Sequence, residues 1–428
     1  MSIKQESKTS QKSANDRKSI GAPLVFISAG DPSGDSHAAK LVRALEQLSP
    51  NARFIGLAGP KTQSTSCDVR LDLTQFSVMM LKNALAKLPT FMRILRQIDR
   101  IFDSERPSLV VLVDFPSFNW IVAKKAKKRG IPVVYFMPPQ IWGWGQRRVK
   151  KMRKYVDLVL SCFQFEHDWF SQRGVNSIFI GHPFFEESRN RQIDEKFVNS
   201  LAKRRRLVLL PGSRNQEVAN NMDALIKAAT LVRQETPDVE PVFAAFKEEH
   251  LQIVKSRLAE LNLDYPVYVG KTPELMRAAT CCLGVSGSVS IELLSLCKPT
   301  VITYRVSKLE HIALRFLKRV KYVTLVNILA VDAMEGETPF YPKGKFAKQT
   351  EHTREERALM VFPEFLSWRD QTEKLASALL KWFKDDEALK RKVEELEALK
   401  SKVDVVDSPI QKAAEIVNST FLTGKIDR

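Results

Sequence analysis

Cysteine is scarce in this chain: five in 428 residues, Cys67, Cys162, Cys281, Cys282 and Cys297. The number is odd, most of the five lie in apolar strand- or helix-like runs, and none has metal-ligand spacing. A disulfide framework and a thiolate metal site are therefore excluded, and reduced, buried thiols of a cytosolic protein are expected. No run reaches the roughly 18 consecutive apolar residues of a bilayer span. The stretch Met1 to Lys18 is polar and Ser/Lys-rich, without the apolar core of an export signal. There is no Gly-Lys-Ser/Thr loop of the Walker type, no Asp-X-Asp, and no His/Cys cluster. A diphosphate ligand would then be neutralised by backbone dipoles and arginine, with no metal and no cofactor expected.

Acidic residues are outnumbered, 49 against 67 Lys and Arg, which leaves a net charge of +18. Such a balance favours polyanions: nucleic acid, anionic lipid or phosphorylated substrates. A basic nucleic-acid-binding protein would need aromatic RNP-like strands or a helix-turn-helix pattern. Neither is present, so no nucleic-acid partner is expected. A length of 428 with 44% hydrophobic residues exceeds one ordinary core and predicts two α/β lobes.

The apolar runs repeat in a βα rhythm. Strand-like Pro23–Ser28, Arg53–Ala58, Ser108–Asp114 and Ile131–Phe136 alternate with helix-like segments from Ser36, over Asn83–Phe102 and over Phe118–Arg129. A second series begins with Leu207–Leu210 and continues through Pro241–Ala245, Thr280–Val285 and Thr300–Tyr304. Units of this size predict doubly wound parallel sheets. The expected layout is a disordered tail at 1–21, an N-terminal Rossmann-like lobe at 22–185, a polar hinge at 186–205, a second Rossmann-like lobe at 206–365 with an insertion or surface loop at 331–359, and C-terminal helices at 366–428 free to pack back on the first lobe. The last part is expected to be strongly helical over Glu373–Val403, with a Lys/Glu-laced solvent face, and to hold one further helix at Gln411–Leu422.

In an open parallel sheet, ligands bind outside the carboxyl ends of the strands. Four segments qualify. Gly30-Asp-Pro-Ser-Gly-Asp35 offers Gly30 and Gly34 for close backbone approach, with Asp31, Ser33 and Asp35 as polar contacts or caps. Asp114 ends an apolar run just before Phe115-Pro116, where a carboxylate can accept a proton from a hydroxyl if its surroundings raise its pKa; a structural cap is the alternative. Gly212-Ser213-Arg214, with Glu217, opens a helix whose free N–H groups and guanidinium suit phosphate. Ser286-Gly287-Ser288, with Glu292 one turn on, suits phosphate and a ribose diol; a surface ion pair for Arg214 and a helix-dipole partner for Glu292 are the plainer uses.

Val78–Leu95 mixes bulky apolar residues with Lys and Arg, the make-up of a lipid-facing segment or of ordinary core packing. Basic runs at Lys124–Arg129, Arg147–Lys154 and Leu314–Lys321 are solvated faces or, with that segment, contacts to an anionic membrane surface. Trp142 and Trp144 line the cleft or pin their loop to the core.

These residues together resemble the lipid-A-disaccharide synthase family. Ala29–Asp35 is similar to that family's AGExSGD, Val113–Asn119 to IDxPDFN, Pro138–Trp144 and Gln146–Val149 to SPxxWAWxxxRV, Phe165-Glu166 and Gly181–Pro183 to FE and GHP. Further on, Leu210–Arg214 with Glu217 is similar to LPGSRxxE, Ser286–Ser288 with Glu292 to SGTxxxE, Tyr304-Arg305 to YR, and Leu325–Asn327 to LPN. The series is ordered over roughly Pro23 to Asn327. Asp31 stands where the family has glutamate, Ser117 where it has aspartate, Ser288 where it has threonine, and Val326 where it has proline.

The resemblance implies a GT-B glycosyltransferase with a cleft between the lobes, inverting and metal-independent. Its substrates would be UDP-2,3-diacylglucosamine and 2,3-diacylglucosamine 1-phosphate. The second lobe would bind the UDP-sugar through Gly212, Ser213, Arg214, Glu217, Ser286, Gly287, Ser288, Glu292 and Asn327. The first would bind the acceptor through Asp31, Ser33 and Gly34, with Asp114 as catalytic base. The enzyme would work in the cytoplasm, peripherally on the inner membrane, with a homo-oligomer as an open option. A different UDP-sugar enzyme of the same fold, a lipid-linked N-acetylglucosaminyltransferase or a UDP-N-acetylglucosamine 2-epimerase, is the competing reading; the former expects a GGxGGH-like first turn that Gly30–Asp35 does not supply.

Overall fold

The computed structural model describes residues 22–75, 88–143, 145–201, 204–285, 287–341 and 352–423. The expectations for the tail 1–21, for residues 78–87 of the amphipathic stretch, for Trp144, for Ser286 and for 342–351 lie outside the described residues.

Two parallel sheets organise the chain. The first holds β1 (Leu24–Ala29), β2 (Arg53–Ala58), β3 (Asp68–Asp72), β4 (Leu109–Val113), β5 (Val133–Phe136), β6 (Leu158–Ser161) and β7 (Ser177–Phe179) in the order 3-2-1-4-5-6-7. The second holds β8 (Arg205–Leu210), β9 (Val239–Ala245), β10 (Val267–Val269), β11 (Cys281–Val285), β12 (Thr300–Arg305) and β13 (Glu364–Ser367) in the order 10-9-8-11-12-13. The central strands read as unbroken apolar runs because helices cover both faces. Val110 and Leu112 of β4 point into one core while Leu109, Val111 and Val113 point into another. Each such side chain contributes about 1.5–3 kcal/mol by leaving water.

Strand order reverses between β1 and β4, which pair from Val25↔Leu109 to Ala29↔Val113, and again between β8 and β11. At such a switch point the loops depart to opposite sides and open a crevice at the carboxyl ends. Gly30-Asp31 and Asp114 emerge side by side from the first sheet. Gly212–Arg214 and Gly287-Ser288 emerge side by side from the second.

Two expectations are corrected and one is sharpened. The segment 186–205 is not a bare polar linker: helices Pro183–Asn190 and Glu195–Leu201 occupy it, and the latter is already tied to the second lobe through Lys271–Asp194 and Arg277–Glu195 ion pairs. Glu373–Val403 is two helices, Thr372–Phe383 and Asp386–Val403, because Asp385 caps the second by accepting from the Ala388 N–H at 2.9 Å. The part of 331–359 that is described is more than a surface loop. The buried helix Leu325–Ala333 runs into it, and Phe340 places its ring 6.1 Å from Trp142 and 6.2 Å from Phe165 of the first lobe.

The chain ends by crossing back. Ile410, Ala413, Ala414 and Val417 of the helix Pro409–Val417 share a core with Ala38, Leu41 and Leu45 of the helix Pro32–Leu48. Arg189 pairs with Asp404 at 2.5 Å, fastening that return strap to the inter-lobe segment.

Candidate functional site

Asp114 is held in an uncommon conformation. Both it and Phe115 have left-handed backbones, φ +46° and +43°, at a cost on the order of 1–3 kcal/mol each. The carbonyl oxygen of Asp114 accepts two hydrogen bonds at 2.7 Å, from Asn119 Nδ2 and from the Tyr135 hydroxyl. Asn119 is itself fixed by Ser28, whose hydroxyl donates to its Oδ1 at 2.6 Å. The main chain is thus clamped, and the side chain is left for other work. Gly30 is required beside it, because a Cβ there would lie 2.1 Å from the Phe115 ring.

The electrostatics bring this carboxyl toward neutrality. Burial pushes the Asp114 carboxyl up to about 6, helped by the negative charge of Asp31 and opposed by the Phe115 N–H. Burial also raises Asp31, against the pull of the Arg214 guanidinium. Asp31 begins the helix Pro32–Leu48 but makes no side-chain cap, so its carboxylate is free for the cleft. Across the lobes, Asp31 thus feels the charge of Arg214, and Asp114 feels that of Asp31. A Cβ added at Gly34 would lie 3.6 Å from the Asp114 Cβ, while Ser33 is exposed on the first turn. Asp35 turns inward instead, accepting from the N–H groups of Gly59 and Thr62 and from the Thr62 hydroxyl.

On the second lobe a cavity of about 630 Å³ is lined by Gly212, Ser213, Arg214, Glu217, Gly287, Ser288 and Glu292. Gly212 has φ +113° and no room for a side chain beside Glu217. The Glu217 carboxylate accepts from the N–H groups of Ser213 and Arg214 at 3.2 and 3.3 Å and from Arg214 Nη1 at 2.6 Å. It fills the place an anion would take at this helix start. Asn327 is not brought to the cavity. Fully buried, it donates to Phe362 O and Glu364 Oε2 and accepts from the Phe362 N–H, so it pins the helix Leu325–Ala333 to β13.

Sequence reasoning missed Asn119 and Tyr135, although Asn119 lies within the quoted segment Val113–Asn119 and Tyr135 is the lone hydroxyl of its strand. It also missed Arg191, assigned to the hinge, which lines the cavity and forms an ion pair with Glu292. No local signal marks Arg191, since its partner lies 101 residues away. Trp142 pins its loop: it is buried and its indole N–H donates to Glu166 at 3.0 Å. All five cysteines are free thiols, and among the described residues no group of three His, Cys, Asp or Glu is placed to hold a metal ion.

The family model described as lipid-A-disaccharide synthetase, LpxB, matches residues 25–352. The chain belongs to the lipid-A-disaccharide synthase family. A relative so named from Nitrosococcus oceani is 33% identical over 324 residues, 74% of this chain and 82% of that protein. Like other lipid-A-disaccharide synthases the chain is a glycosyltransferase of lipid A biosynthesis, and its two parallel-sheet lobes are of the GT-B class. Two solved structures share the fold at low identity. One is the UDP-GlcNAc 2-epimerase from Neisseria meningitidis bound to UDP-GlcNAc, with a TM-score of 0.55, 11% identity and coverage of 94% and 100% of the two chains. The other is the glycotransferase of kitacinnamycin, with a TM-score of 0.56, 12% identity and coverage of 94% and 99%.

Proposed function

We propose that the chain transfers 2,3-diacylglucosamine from UDP-2,3-diacylglucosamine to the 6-hydroxyl of 2,3-diacylglucosamine 1-phosphate, with inversion, giving the β-1,6-linked tetraacyl disaccharide 1-phosphate and UDP. The acceptor hydroxyl oxygen attacks the anomeric carbon as the bond to UDP breaks on the opposite face. Its proton passes to the Asp114 carboxylate, and the bonding pair leaves with UDP. One displacement needs a base and no enzyme nucleophile.

In this reading the first lobe, 22–185, takes the acceptor and the second, 206–365, takes the UDP-sugar. The diphosphate meets Arg214 and the N–H groups of Gly212, Ser213, Gly287 and Ser288, where helix starts add positive potential. Glu292 receives the ribose. Asp31 keeps the base's pKa up and lies toward the acceptor. The observation that carries the reading is a carboxyl raised to about 6 at the end of β4, beside Asp31, which in turn feels the Arg214 guanidinium of the facing lobe. No described helix is long and apolar enough to cross a membrane; the proposed residence is peripheral, on the cytoplasmic face of the inner membrane, where acylated substrates sit. Incubating purified protein with both diacylated substrates should yield disaccharide and UDP in equal amounts. Asp114→Asn should abolish nearly all of it while UDP still binds, and undiminished turnover would remove Asp114 from the role.

A further inference from the structure

The helix Lys308–Leu317 follows β12 after two intervening residues, and Tyr304 near the end of β12 feels the charges of Glu217 and Arg214, which line the cavity. Its start is fixed by a capping box: the Ser307 hydroxyl accepts from the Glu310 N–H at 3.2 Å, and the Glu310 carboxylate accepts from the Ser307 N–H at 2.8 Å. A capped helix is normally laid down to bury something, yet Leu309 is 80% exposed and Ile312 is 45% exposed. Spaced three apart, they share one face, with Ala313 exposed beside them. Leu309 is the most exposed large apolar side chain among the described residues.

Beside this aliphatic face is an aromatic and cationic collar. The Trp368 ring lies 5.4 Å from Lys308 Nζ and 5.0 Å from the Arg369 guanidinium, and Arg305 is exposed nearby. The two neighbouring carboxylates are already engaged, Glu310 in the cap and Asp370 in accepting from the Thr372 N–H and hydroxyl. Aliphatic side chains that enter the acyl boundary, an indole at headgroup depth and cations for phosphate together form an interfacial anchor. A protein-binding face would not need cations gathered on that side.

We propose that the Leu309/Ile312 face, with Lys308, Trp368 and Arg369, docks the second lobe on an anionic bilayer surface, so that the mouth of the donor cavity opens at the depth where acylated sugars lie. This rests on the function proposed above, because only a lipid-borne donor gives the lobe reason to touch a membrane.

The test uses the full chain and vesicles of phosphatidylethanolamine and phosphatidylglycerol in equal parts, at about 0.1 M salt. Leu309→Ser/Ile312→Ser should lower vesicle partitioning on the order of tenfold, and Lys308→Gln/Arg369→Gln should flatten its salt dependence. Both variants should bind UDP normally and turn over short-chain substrates dispersed in detergent as the wild type does. Unchanged partitioning by both variants, with transfer intact, overturns the docking proposal alone. Absence of transfer by the wild type in every dispersion overturns the transferase reading instead. If the aliphatic substitutions convert an oligomer to a monomer by light scattering while vesicle binding persists, the face joins copies of this chain and the membrane assignment fails.

Discussion

Replacing Asp114 with asparagine should make the protein more stable and nearly inactive at once. Burial and the Asp31 charge hold its carboxyl at about 6, against roughly 3.9 for an unfolded aspartate. A group raised on folding favours the folded state while protonated. That contribution is whole below roughly pH 4 and is lost as the pH climbs through about 6. Above pH 7 the ionised carboxylate therefore costs the fold on the order of 2 kcal/mol once residual contact with water is discounted. Asparagine has the same shape and tolerates left-handed backbone well. The clamps from Asn119 and Tyr135 reach the carbonyl oxygen, which the substitution leaves in place. Scanning calorimetry should then show the variant melting roughly 2–5 °C higher at pH 7.5, with the difference fading by pH 4. Turnover should fall by about 10²–10⁴. In the wild type, kcat/KM should drop roughly tenfold between pH 7 and pH 5, as a base of that pKa requires. Identical melting at every pH would mean the carboxylate is hydrated and titrates near its ordinary value. A higher melting temperature with turnover kept within tenfold would separate burial from catalysis and remove Asp114 as base.

Asp31→Asn removes a charge that raises Asp114, so the acid limb of kcat/KM should move below about 6; a limb that stays put would place the two carboxyls out of reach of each other. Tyr135→Phe deletes one of the two clamps at 2.7 Å and should lower kcat by roughly three- to tenfold with donor KM unchanged, whereas a rise in KM alone would assign the hydroxyl to binding. Arg191→Gln should weaken UDP binding in calorimetry by roughly three- to tenfold, and an unchanged affinity would leave Arg191 a structural ion pair. Asn327→Ala should cost about 2–4 kcal/mol of stability, since it strands buried Phe362 and Glu364 groups, without altering UDP affinity; normal melting with lost affinity would return Asn327 to the site.

The central strands were legible because a parallel strand covered on both faces must be apolar at every position, as Leu109–Val113 and Leu207–Leu210 are. The edges were not. Asp68–Asp72 is half polar, and Ser177–Phe179 and Val267–Val269 are three residues each, too short to show a period. Strand-end logic put Asp31, Asp114, Gly212–Arg214 and Gly287-Ser288 at the carboxyl ends of the sheets, where the structure has them, because the switch-point rule depends on topology alone. It could not find Arg191 or Asn119, whose roles depend on what another segment brings to them. It misjudged Asn327 for the same reason, because a buried amide and a ligand-binding amide look alike until partners such as Phe362 are in view.

Several of the second lobe's candidate anion-binding groups look free in the sequence and are engaged in the folded chain. Glu217 holds Arg214 and two N–H groups, and Arg191 holds Glu292. If the proposed donor site is the right one, nucleotide binding there is an exchange of partners at Arg214 and Glu217. The exchange is cheap on the protein side, because Arg214 is 77% exposed and an exposed ion pair contributes only about 0–1 kcal/mol. A diphosphate brings more charge and more oxygens than one carboxylate, so it can win the guanidinium and share the helix start while Glu217 shifts by a rotamer. A ribose hydroxyl can donate to Glu292 without displacing Arg191, whose fork then faces the newly arrived phosphates. In that proposed exchange the internal pairs act as stand-ins that keep the turn formed between turnovers.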